Sequence, residues 1–212
     1  MLKKLAAHPV LVSIVFFACF LLGFLGVELL VKEPVTWVWC PLDDVIPFWR
    51  YAIVAYLLWF PWIPVTLLYL LFTSREELWQ TIAPLYCGMA LCIVAYIVFP
   101  NGQQLRPAVI EGDDVFAWAV RTIQGVDPPL NVCPSLHVLV TVHLGLAWIR
   151  SRTPFVARHP WLRAASLLLT LAICAATVLL KQHSVIDVFV GAALALLLDR
   201  LLGRTLVPRL IG

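Results

Sequence analysis

The sequence predicts an all-α polytopic membrane protein, a single domain over residues 1–212 with six transmembrane helices and both termini cytoplasmic. Three observations predict it. Of the 212 residues, 62% are hydrophobic and only 13% charged, against roughly 25% charge in an ordinary soluble domain. Mean hydropathy is +0.95. Several uncharged stretches reach the ~20 residues needed to cross a bilayer, which excludes an enlarged soluble core. The basic residues are also unequally shared between the two sets of connections.

In order along the chain, the apolar runs place spans at roughly 9–31, 48–72, 79–99, 134–150, 161–180 and 184–205. The first follows Lys3 and Lys4 like a signal peptide. Its apolar stretch is too long and no small-residue cleavage site follows, so it reads as an anchor. Pro61 and Pro64 fall inside the second span and predict a kink. Residues 113–126 read as a short amphipathic helix capped by Asp113, lying in the membrane interface or packed on the spans. "DPPLN" (127–131) then breaks the chain before the fourth span. Trp37, Trp39 and Trp49 near one face, and Trp79, Trp148 and Trp161 near the other, fit aromatic belts.

Ten basic residues fall on one side: Lys3, Lys4, Arg75, Arg150, Arg152, Arg158, Arg163, Arg200, Arg204 and Arg209. The other side holds five, Lys32, Arg50, Arg106, Arg121 and Lys181, together with nine of the twelve acids. The positive-inside rule makes the first side cytoplasmic. Residues 32–47, 100–133 and 181–183 then face the outside or a lumen. The basic residues fit membrane flanks, and nucleic acid is not suggested as a partner. The small size favours a bacterial plasma membrane.

Of the six cysteines, Cys19, Cys87, Cys92 and Cys174 lie within spans and read as buried apolar thiols. Cys40 and Cys133 both fall on the outer face, where a disulfide or two free thiols are equally open. Glu28, His143 and Asp199 also enter spans, where each reads as snorkelling or bonded to a neighbouring helix. Asp43 and Asp44 read as a solvated turn or as headgroup contacts.

A second polar set converges on the outer face from separate segments: Arg106 after the third span, Ser135 and His137 opening the fourth, and Lys181, His183 and Asp187 between the fifth and sixth. His183 and Asp187 are four apart, so a helix would put them on one face, with the carboxylate orienting one ring nitrogen and the other left free. Taken alone, this pattern is short and common. Ser135 reads as a helix cap or an anion ligand at a helix start. His137 is placed to hand over a proton, and Arg106 offers a forked donor for phosphate oxygens. His137, His183 and Asp187 could instead ligate zinc, although Arg106 and Lys181 oppose a cation there.

The segments "FPNGQQLRP" (99–107), "CPSLH" (133–137) and "TVLLKQHSVID" (177–187) resemble, in order and spacing, the three motifs of the membrane branch of the type 2 phosphatidic acid phosphatase superfamily. The resemblance covers a core of about 79–205. It departs from the family at Phe99 and Thr177, where a lysine and an arginine are expected, and at Leu136, where a glycine is expected. "PSLH" and the reduced third motif resemble the subgroup containing inositol phosphorylceramide synthases. The resemblance implies that His183 attacks phosphorus, Asp187 orients it and His137 exchanges the proton. It further implies that Ser135, Arg106 and Lys181 hold phosphate oxygens, with no metal and no cofactor. The implied substrate is a lipid phosphate, hydrolysed by water or passed to a lipid alcohol. A non-catalytic binder of lipid phosphate is the reading of another class, favoured by the missing cations and opposed by the retained histidines and aspartate.

Overall fold

The computed structural model describes residues 7–207 and is mostly helical. Lys3, Lys4 and Arg209, three of the residues used to orient the chain, lie outside the described residues. Helix α1 covers Pro9–Leu30. A two-residue strand β1 (Thr36–Trp37) and helix α2 (Pro41–Val45) follow. A 3-10 turn (Arg50–Ala52) leads into α3 (Ile53–Leu57) and α4 (Trp59–Thr73). Then come α5 (Arg75–Val98), β2 (Asn101–Gly102) and α6 (Val115–Val126). The chain ends with α7 (Leu136–Arg150), α8 (Pro154–Arg158), α9 (Trp161–Leu179), α10 (Val185–Leu198) and a π-helical stretch, Asp199–Leu206.

Among the described residues, four helical stretches are long and apolar enough to cross a membrane: Pro9–Leu30, Arg50–Thr73, Arg75–Val98 and Trp161–Leu179. They fit an integral membrane protein. The other two of the six expected spans are shorter, α7 with 15 residues and α10 with 14 before its π-helical continuation. For α7, position explains the difference. Helix α7 packs against α4, α5, α9 and α10, so protein rather than lipid covers most of it. Lipid-facing character is concentrated in α1, which buries only Pro9 and Val27 and docks on α5 by stacking Phe16 on Tyr86 with ring centres 4.1 Å apart. Its exposed Leu22, Leu29 and Leu30 suit hydrocarbon.

Close approach between helices is built from small residues. An added Cβ on Gly145 would stand 2.2 Å from Thr170 Oγ1, and one on Gly191 would stand 2.6 Å from the Ser135 carbonyl oxygen. These contacts bring α9 and α10 against α7.

The second span breaks at Leu58, one residue before α4. Pro61 cannot donate to Leu57, and its ring crowds that carbonyl, so the interruption falls where the sequence predicts a kink. Two other expectations are corrected. The cap of α6 is Asp114, not Asp113, and its carboxylate accepts from the Phe116 and Ala117 amides at 3.0 and 2.9 Å. Trp148 is a core residue rather than a belt residue, donating to Thr66 Oγ1 at 2.8 Å and stacking on Tyr69. Cys40 and Cys133 are free thiols, one of the two readings the sequence leaves open.

Candidate active site

Three side chains knit the motif segments together. Asn101 donates to the carbonyls of Phe99 and Cys133, both at 2.9 Å, and its oxygen accepts from the Val132 and Cys133 amides. It therefore fixes the approach to α7. Gln103 donates to the Lys181 carbonyl at 2.8 Å and fixes the turn between α9 and α10. Asp43 is 1% exposed and accepts from Ser184 Oγ at 2.6 Å and from the Val185 and Cys40 amides, both at 2.9 Å. Burial alone would raise its carboxyl, but the hydrogen bonds from Ser184, Val185 and Cys40 outweigh it and hold the group below the ordinary aspartate value. Asp43 is thus a buried clasp rather than a solvated turn. Asn131 and Lys181 both take positive φ, 56°, so the chain accepts a sparsely populated conformation on both sides of the site.

These restraints place His183 beside His137, with Nε2 of the first 3.5 Å from Nδ1 of the second. His183 Nδ1 lies 3.4 Å from Asp187 Oδ2. The pairing differs from the one the spacing predicts. His183 precedes the helix, and Ser184 is the cap of α10. Asp187 reaches back because it closes a capping box, taking the Ser184 amide at 2.9 Å on that same oxygen. Its Oδ1 is buried without a hydrogen-bond partner among the described residues. The Asp187–His183 contact is long for a hydrogen bond, and contacts of this kind tighten when a substrate is bound.

Arg106 comes to the same place. Its Nη2 donates to Gln182 Oε1, and its Nη1 donates to the Gln124 carbonyl at 3.2 Å. Burial pulls its guanidinium below the ordinary value, with Asp127 opposing that shift. Arg106 Nε, Gln182 Nε2 and Gln124 Nε2 are all buried donors without an acceptor among the described residues. The bond to Arg106 fixes the Gln182 amide so that its NH2 is the free end.

Two expected phosphate ligands are placed otherwise. Ser135 is fully buried and its hydroxyl accepts from the Val138 amide at 3.3 Å, which is the capping role. Lys181 Nζ donates to the carbonyls of Asp43 and Ile46, both at 2.5 Å, so its charge is committed to the backbone of the α2 segment. Cys133 lies beside Asp187, and burial pushes its thiol up to about 12, with Asp187 adding to the shift. Among the described residues, no group of three or more His, Cys, Asp or Glu is arranged to hold a metal ion.

Sequence reasoning missed five neighbours. Tyr56 hydroxyl lies 2.9 Å from His137 Nε2, and Trp59 packs on the His137 ring with centres 4.6 Å apart. Both flank the helix break at Leu58. Gln182 lies between Lys181 and His183 and carries no charge to single it out. Asp127 stands near Tyr56, Arg106 and His183. Burial raises its carboxyl, against lowering by His183, Arg106 and Tyr56. An acid in a stretch read only as a chain break was the available signal. The amphipathic helix α6 packs on the 3-10 turn and α3, and so delivers Gln124 and Asp127 to the site.

No protein-family model, no curated protein and no solved structure matches this chain.

Proposed function

We propose that the protein is an integral membrane enzyme that hydrolyses a phosphate or diphosphate ester of a lipid through a phosphohistidine. The observation that carries this reading is His183, backed by Asp187 and facing a second histidine, beside buried donors on Arg106 and Gln182 that lack acceptors. A phosphoryl group is a ligand that accepts from all those donors while presenting phosphorus to an imidazole nitrogen. His183 Nε2 attacks phosphorus, Asp187 steadies the resulting charge, and His137 gives a proton to the departing alkoxide before taking one from water. The two rings are in contact at 3.5 Å, so a substrate must part them.

The proposed arrangement is six spans, with both termini cytoplasmic and the site at the outer face of a bacterial plasma membrane. The basic asymmetry of the sequence supports it. A second reading, transfer of a phospho-headgroup to a lipid alcohol, is favoured by the clamp's charge. With Lys181 bound to carbonyls, Arg106 is left with neutral glutamines, which suits the single charge of a phosphodiester.

The test is phosphate release from a panel of lipid phosphates by purified protein in detergent with EDTA present. Release is expected to survive EDTA and to vanish in His183→Ala. Release that persists in His183→Ala would overturn the phosphohistidine. Headgroup exchange without release would select transfer, and retention of lipid phosphate with neither reaction would select the binder.

A further inference from the structure

We infer that the groove between α1 and α4 is a binding site for one acyl chain of an anionic phospholipid, seated with its headgroup at Arg75. The inference goes beyond the proposed reaction, because the groove shares no residue with the histidine pair and opens at the other end of the bundle. Glu77, two residues after Arg75, marks that end by accepting from the Arg152 amide, between α7 and α8, at 2.8 Å.

The groove exists because α1 leans on α5 and stands off from α4. Phe16 stacks on Tyr86 on one side of α1. On the other side, Ile14 and Phe17 face Leu68 and Leu71 of α4 across a gap of about 420 Å³, with Ile82 of α5 in the floor. A packed interior leaves no void of that size. Among the described residues of its walls the polar one is Ser13. Its hydroxyl donates to the Pro9 carbonyl at 2.9 Å and accepts from the Tyr86 hydroxyl at 2.7 Å, so its proton is spent. Water needs several polar partners to settle in a cavity, and these walls do not supply them. The occupant is therefore apolar.

Size and charge choose which apolar occupant. A second copy's helix, about 10–12 Å across, would fill 420 Å³ in roughly 4–5 Å, less than one turn. A single acyl chain is thin enough to lie along the whole gap. Past Pro9 and Leu71 the groove continues into a space of about 470 Å³ lined by His8 and Arg75. Arg75 Nη2 donates to the Ala7 carbonyl, which holds the guanidinium across this mouth. The groove thus offers hydrocarbon along its length and a cation at its end, the order in which an anionic lipid presents its tail and headgroup. A chain seated there completes the packing of α1 and ties it to α4, whose first residue, Trp59, packs on the His137 ring.

Native mass spectrometry tests the site, using protein stripped of lipid in detergent and then given phosphatidylglycerol and phosphatidylcholine in equal amounts. Wild type should hold one lipid, with phosphatidylglycerol preferred about fivefold, the worth of one basic residue beside an anionic lipid. Ile14→Trp and Leu68→Trp, one from each wall, put an indole into the gap and should lose that lipid whatever its headgroup. Ile14 is 62% exposed and Leu68 52%, so neither change enters the core. Each is an independent test, and misfolding of one leaves the other to decide. Arg75→Gln should keep the lipid and lose the preference. No lipid on wild type, or equal retention by wild type and the tryptophan variants, would overturn the site. A lipid-free dimer broken by either tryptophan would also overturn it and give the groove to a second copy. A preference unchanged in Arg75→Gln would overturn the anionic headgroup.

Discussion

Asp43 and Ser184 lie 141 residues apart in sequence, yet the carboxylate of the first accepts the hydroxyl of the second at 2.6 Å. Asp43→Asn keeps the shape but sets an NH2 against a donor, at a cost of about 2 kcal/mol. Thermal unfolding in detergent should show the full loss above about pH 5 and a difference that shrinks as pH falls below the unfolded aspartate value near 3.9. The sign follows from the lowered folded value. Such a carboxylate stabilises fully above the unfolded value, and the contribution is lost as pH falls through the folded one. Asp127 has the opposite sign, because a raised carboxyl destabilises once pH exceeds its folded value. Asp127→Asn should therefore raise the midpoint at neutral pH. Ser135→Ala should cost about 1 kcal/mol, the usual worth of a cap, with KM unchanged. A large rise in KM would instead restore its phosphate role. These residues mark where sequence reading stops. His137, His183, Asp187 and Arg106 were legible because type and spacing carried them. Asp43 and Asp127 were not, because their burial depends on segments that meet only in the folded chain.

Helix boundaries were legible to a few residues wherever an apolar run met a proline or a capping residue, as at Pro9 and Ser135. Less legible was how one element sets another's position. His183 and Asp187 show this, since a helical spacing of four suggested one face and the structure uses a capping box instead. The approach of α10 to α7 depends on Gly191, whose missing side chain admits the Ser135 carbonyl. Gly191→Val must displace that backbone, and overpacking of this kind costs about 1–3 kcal/mol. It should also separate His183 from His137, so turnover should fall further than stability alone explains. Gly26→Ala is the matched control. An added Cβ there meets nothing within 4 Å, and a mid-helix alanine gains up to about 1 kcal/mol. Unfolding midpoints and turnover of the two variants decide whether close packing at α10 sets the site.

At the scale of the whole molecule, α7 runs from the histidine pair to Arg150, roughly 22 Å at 1.5 Å per residue. Its far end joins a network in which Arg150 and Arg204 share Asp199. The two ends of the bundle therefore differ in kind. One gathers His137, His183 and Asp187, and the other gathers arginines near chain turns. Under the proposed orientation, the positive-inside bias puts the arginine end in the cytoplasm. The described residues supply this bias through Arg75, Arg150, Arg152, Arg158, Arg163, Arg200 and Arg204, so it survives without the terminal basic residues. Cysteine substitution reads the orientation directly. In intact cells, a membrane-impermeant maleimide should label Asp113→Cys, in the connection before α6, and leave Arg158→Cys, at the end of α8, unlabelled until the membrane is opened. Both positions are exposed, so labelling reports the side rather than burial. The native cysteines are controlled for by labelling the unsubstituted chain in parallel. The reverse pattern would put the histidine pair on the cytoplasmic face, and the substrate would then have to be a lipid phosphate of the inner leaflet.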